Sequence, residues 1–120
     1  MVGLQEGEME LKLEQIDDIT FAQVCEESIR ADNAPEFKAC LLSLLKPDAK
    51  IVLDMGSLKF MDSSGIGSLL SFVKKSQNTQ DSLKLCNVTK QVQNLFDLVR
   101  VNRFLHVFES CEEAVKSFHK

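Results

Sequence analysis

No apolar run in this 120-residue chain approaches the roughly 20 residues that span a bilayer. Positive charge is not in excess either: 14 Lys and Arg stand against 18 Asp and Glu, for a formal net charge of −4. Nucleic acids and anionic membranes need a basic face to meet their phosphates, so neither is expected as a partner. Residues 1–10 are acidic and lack the basic-then-apolar order of a secretion signal, which predicts a cytoplasmic protein. There is no Gly-x-x-x-x-Gly-Lys loop and no Gly-x-Gly-x-x-Gly after a strand, so nucleotide binding through those loops has no support. Ser63 is not in a Gly-x-Ser-x-Gly elbow, and His106 and His119 follow no pattern that would supply a base. An enzyme is therefore not expected. No cysteine stands in a C-x-x-C pair; Cys25, Cys40, Cys86 and Cys111 each lie in an apolar pattern. That predicts buried, reduced thiols, with no metal site and no cofactor. Cys111 falls in the first turn of a helix, but on its apolar face, so burial is expected over reactivity.

What is present fits one ordinary domain: 44% hydrophobic and 27% charged residues, and enough length for a real core. Met9, Leu11 and Leu13 alternate with Glu10, Lys12 and Glu14, the pattern of a half-buried strand. After a turn at Asp17-Asp18, Ile19 to Cys25 reads as a second strand of a hairpin. Asp32-Asn33 offers a helix cap, Pro35 is tolerated in the first turn, and Phe37, Cys40, Leu41, Leu44 and Leu45 mark one helical face. Pro47 ends that helix. Ile51-Val52-Leu53 is continuous and apolar, as a strand covered on both faces should be. A helix with Ile66, Leu69, Leu70 and Val73 inward follows, then a strand at Leu83 to Cys86. Thr89 can cap a helix that buries Val92, Leu95, Phe96 and Val99. Phe104 to Phe108 reads as the last strand. Ser110 and Glu113 have capping-box spacing before a helix that buries Cys111, Ala114, Val115 and Phe118. The alternation after the hairpin implies an α/β fold: a mixed, mostly parallel sheet of about five strands with about four helices. Residues 1–8 read as a flexible tail and 9–120 as the domain.

Between the central strand and its helix stands "KFMDSSGIGSLL", Lys59 to Leu70. One reading is plain capping: a serine at the helix start accepts a backbone N–H, a contribution of about 1 kcal/mol. That explains neither Asp62 nor the glycines Gly65 and Gly67. With Ser64, Ser68 and Ser71 also small, the helix start is stripped of bulk and favours negative charge. A phosphoryl group on serine would add about −1.5 to −2 charges there, so a regulatory phosphosite is the competing reading.

The stretch "IVLDMGSLKFMDSSGIGSLL" closely resembles the signature of the STAS domain family, in particular bacterial anti-sigma factor antagonists. "LKLCNVTKQVQNLFDLVRVNRFLHVFESCEEAV" resembles the rest of that family's domain, so the resemblance runs from Met9 to Phe118. It implies the STAS fold and a partner switch. The unphosphorylated domain would bind an anti-sigma factor that is also a serine kinase of the GHKL type, and so release the sigma factor. The kinase would phosphorylate Ser63, with Ser64 as the alternative, and a PP2C-type phosphatase would reset it. The chain would itself be no enzyme and would act as a monomer. The surface implied for the partner comprises Asp62, Ser63, Ser64, Gly65, Gly67, Ser68, Arg30 and Asp32. In "ESIRADNAP" this chain departs from the family: Glu27 takes a glycine position and Arg30 an aspartate position. Arg30 would hold a phosphate or point to solvent, and Asp32 would partly replace the lost carboxylate. The alternative function is a STAS interaction module without phosphorylation, in a chemotaxis, stressosome-like or lipid-transport complex.

Overall fold

Ile51, Val52 and Leu53 are all buried, with sheet neighbours on both sides and cover on both faces. They open β4 (Ile51–Asp54), the centre of a five-stranded sheet in a computed structural model that describes Met9, 11–76 and 82–119. β1 (Leu11–Ile16) and β2 (Ile19–Val24) form the hairpin, turning at Asp17, whose φ is 55°. β2 pairs in parallel with β4, β4 with β6 (Leu83–Cys86), and β6 with β7 (His106–Phe108). The sheet order is β1-β2-β4-β6-β7. Four helices complete the fold: α1 (Ala34–Leu42), α2 (Ser63–Lys75), α3 (Lys90–Val99) and α4 (Cys111–Ser117). This is the expected mixed, mostly parallel sheet with four helices.

Side chains alternate across a strand, so each strand feeds two layers. Ala22, Val24, Leu53 and Leu85 point to one side, where Phe37 and Leu41 of α1, Leu69 and Phe72 of α2, and Val92 and Phe96 of α3 cover them. The fully buried Phe37, Phe72 and Phe96 each contribute about 2 kcal/mol or more of apolar burial. Ile19, Val52 and Cys86 point to the other side, where α4 packs through Ala114. Buried Lys84 reaches out on that side: Nζ donates to Ser117 Oγ at 2.6 Å and lies 4.0 Å from the centre of the Phe118 ring.

A second sheet, β3 (Ser28–Ile29) with β5 (Phe60–Met61), has no counterpart in the sequence pattern. Two-residue strands carry no period. They pair because Glu27 O accepts from Lys59 N (2.8 Å) and Ile29 O from Asp62 N (3.1 Å).

Several expectations are corrected. Cys86 and Cys111 are not reduced thiols but are joined in a disulfide, and Cys25 is exposed. Of the two cysteines outside that bond, Cys40 is half-buried, its Sγ 3.4 Å from Met9 O. Leu13 is 57% exposed, on β1 at the edge of the sheet. Val99 is 44% exposed: α3 stops at Arg100, whose φ of 61° turns the chain away. Phe104 is not in a strand, since Leu105 N and Phe104 N both donate to Val101 O and close a turn there. Thr89 stands at the α3 N-cap but gives its hydroxyl to Leu58 O, at 2.8 Å. The residue tail 1–8 and Glu10 lie outside the described residues. Among the described residues no helix is long and apolar enough to cross a membrane.

Candidate functional site: the start of α2

The α2 helix is capped by Asp62 rather than by a serine. A carboxylate at this position satisfies first-turn N–H groups and sits at the positive end of the helix dipole. Asp62 Oδ1 accepts from Ser64 N at 2.9 Å, while Oδ2 accepts from Ala31 N at 3.1 Å. Its backbone N–H donates to Ile29 O. One side chain thus caps α2 and ties it to the loop between β3 and α1. The Ala31 bond joins positions 31 apart in the chain, which is why local spacing shows only the cap.

With Asp62 taking the cap, Ser63 is released from that role. It is the first residue of α2 and is exposed. Ser64 is half-buried, and its carbonyl is one of two that share the Ser68 hydroxyl. Ser68 Oγ lies 3.2 Å from both Ser64 O and Ala34 O, and the residue is 4% exposed. Ser68 is thus nearly closed off by the contact it makes between α2 and α1. Gly65 is corrected in the same way. A Cβ there would lie 2.5 Å from Met61 Cγ and 2.9 Å from Ile29 Cγ2, so its missing side chain makes room for the core. At Gly67 a Cβ would meet nothing within 4 Å, and the residue faces outward.

Gly67 and Ser71 form one wall of a shallow groove, and Ala31, Pro35 and Lys38 form the other. Lys38 is the cation on that wall, supplied by the exposed side of α1 and not singled out by the sequence patterns. Arg30 is exposed and takes neither expected role outright: its guanidinium lies 4.5 Å above the centre of the Phe60 ring. Phe60 precedes Asp62 by two positions, so this cation–π contact fixes Arg30 beside the start of α2. Asp32 and Glu27 are exposed. Glu27 is not among the residues with positive φ, so its backbone does not need glycine. Phe72, on the same helix, is buried and belongs to the core.

One group of metal-ligand types occurs among the described residues: Asp54, Cys86 and Cys111, with ligand atoms within 4.8 Å of one another. Its sulfurs are bonded to each other, so they offer no thiolate pair to a metal.

Residues 10–114 match the family model for the STAS domain. BtrV of Bordetella bronchiseptica, which bears the name of an anti-sigma factor antagonist, is 27% identical over 111 residues, covering 92% of this chain and 95% of that protein. The crystal structure of an anti-sigma factor antagonist from Mycobacterium paratuberculosis superposes with a TM-score of 0.81 at 13% identity, over 97% of this chain and 98% of that one. The Bacillus cell fate determinant SpoIIAA, in its phosphorylated form, does so with a TM-score of 0.61 at 17% identity, over 90% and 98%. At these identities the solved structures speak for the fold, while the family model covers most of the sequence. The chain belongs to the STAS domain family.

Proposed function

We propose that this protein is an anti-sigma factor antagonist that acts as a cytoplasmic monomer and is switched by phosphorylation of Ser63. The observation that carries this reading is the division of labour at the start of α2: Asp62 caps, Ser68 and Gly65 pack, and Ser63 alone of the Asp-Ser-Ser-Gly group is exposed. The names of BtrV and of the Mycobacterium paratuberculosis protein support the partner class, and the phosphorylated form of SpoIIAA supports the chemistry.

In the unphosphorylated state the exposed first turn of α2 and the groove beside it dock on an anti-sigma factor with a GHKL-type kinase site. ATP belongs to that partner. The Ser63 hydroxyl oxygen forms a bond to the γ-phosphorus, ADP leaves, and the hydroxyl proton passes to a base on the kinase. The product carries a near-dianion in the interface, where repulsion and desolvation weaken docking. A loss of about 2.7 kcal/mol would weaken binding roughly a hundredfold. A PP2C-type phosphatase restores the hydroxyl. In this reading Arg30, whose guanidinium lies over the Phe60 ring two positions before Asp62, is the cation that contacts the phosphate. If it does, Arg30→Ala changes the rate of dephosphorylation; an equal rate leaves Arg30 as a surface residue.

The test is the intact mass of the protein from its own cells, with the modified residue mapped by fragmentation. A fraction heavier by one phosphate at Ser63, absent in Ser63→Ala, supports the switch. A phosphate at Ser64 moves the site by one residue. A single unmodified species under several growth conditions favours a STAS module that binds its partner constitutively.

A further inference from the structure

Cys86 is the last residue of β6 and Cys111 the first residue of α4, and a disulfide joins them. Their Cα atoms are 4.9 Å apart, so the backbone need not move for the bond to form or open. We propose that this pair is a reversible thiol–disulfide site, through which disulfide-class oxidants clip α4 to the sheet and thiol-class reductants release it. The proposal is independent of whether Ser63 is phosphorylated.

Three observations carry it. The first is access. Cys86 is fully buried, but Cys111 is only half-buried, and exchange needs one sulfur within reach of an incoming thiolate. The second is a donor at that sulfur. Asn87 Nδ2 lies 3.3 Å from Cys111 Sγ and 3.2 Å from Asp54 Oδ1, so one amide supports the sulfur and stands against the neighbouring carboxylate. An amide N–H of this kind can donate to the Cys111 sulfur as it leaves in exchange. The third is the unequal cover of the two sheet faces. Among the described residues three helices cover one face, while α4, with Ala114 its only fully buried residue, is the one helix on the other. For so lightly packed a helix, a covalent tie at its first residue is a large part of its attachment.

The step balances as follows. A thiolate of the glutathione class attacks Cys111 Sγ, the bond to Cys86 breaks, and Cys86 leaves as a thiolate and takes a proton. A second thiol attacks the mixed disulfide, frees Cys111 and departs as the external disulfide. The protein gains two electrons and two protons. The reverse reaction consumes an external disulfide as oxidant.

The test uses the full chain in glutathione buffers of stepped thiol-to-disulfide ratio, quenched with acid. Free thiols are then alkylated in denaturant and mapped by peptide mass. Cys25 and Cys40 lie outside the disulfide and act as internal controls, reporting the label lost to simple mixed disulfides with glutathione. The expected result is that Cys86 and Cys111 gain label together across the series while the far-ultraviolet circular dichroism stays native. The bond closes a loop with a sequence separation of 25, so reduction should lower the melting temperature by about 10 °C. In Cys111→Ser the melting temperature should no longer respond to reductant. Label on Cys86 and Cys111 even in the most oxidising buffer would overturn the proposal, because the pair would not form. Label on Cys86 and Cys111 only when denaturant is also present during the glutathione step would overturn it too, because the bond would be an inert structural tie.

Discussion

Gly65 and Gly67 sit two positions apart on one helix and lack a side chain for different reasons. At Gly65 the space is filled by Met61 and Ile29; at Gly67 it is open. Gly65→Ala should therefore destabilise the fold by about 1–3 kcal/mol through overpacking. Gly67→Ala should stabilise it by up to about 1 kcal/mol, since alanine is the better helix former. Urea unfolding of the two variants checks both signs, and equal shifts would count against the packing account. Asp62 is the other residue whose meaning depends on distant partners. Asp62→Ala removes an N-cap and leaves Ala31 N without its acceptor, for a loss of about 2 kcal/mol. Asp62→Asn keeps one side-chain oxygen and should lose less. If both variants cost the same few tenths of a kcal/mol, the tie between α2 and the β3–α1 loop does not hold in solution.

Elements with a period were legible in the sequence, and elements made by tertiary contact were not. Phe37 and Leu41 repeat at helical spacing, and Ile51-Val52-Leu53 form an unbroken apolar run; both ended up where the pattern put them. β3 and β5 are too short to have a pattern and exist because two loops meet. Val99 continues the apolar face of α3 in sequence but is the helix's last residue, and Arg100 turns the chain away before anything covers it. Ser68 reads as an exposed small residue until α1 closes over it. Of the candidate site, the motif and the exposed Ser63 were visible in sequence, while the groove wall from α1 was not. At the hairpin, Asp18 accepts from Lys50 Nζ at 2.7 Å and joins the β1–β2 turn to the chain just before β4. This bond from Lys50 lowers the Asp18 pKa below the usual carboxylate value. A lowered folded pKa means the contribution is present above the unfolded value and is lost as pH falls through the folded one. NMR titration should place the Asp18 midpoint below the ordinary carboxylate range in the native protein. In Lys50→Met the midpoint should move up toward that range; an unmoved midpoint would show that the pair is not formed.

For the whole molecule, the two sheet faces differ in cover, and stability should be distributed accordingly. Amide exchange should be slowest in β2, β4 and β6, the strands paired on both sides in the sheet. It should be faster in α4 and in β7, the three-residue strand at the sheet edge, whose residues are all only half-buried. Faster exchange in β4 than in α4 would contradict this ranking. The small sheet of β3 and β5 has a further bearing, on the order in which the protein comes into being. The platform under Ser63 joins residues 28–31 to residues 60–62, which are remote in sequence. Closing such a loop carries an entropic cost that local contacts do not. A chain still emerging from the ribosome would have made Ser63 well before it had assembled the surroundings that present it. A modifying enzyme that reads those surroundings, rather than the bare Asp-Ser-Ser-Gly, would then act on finished molecules and pass over nascent ones.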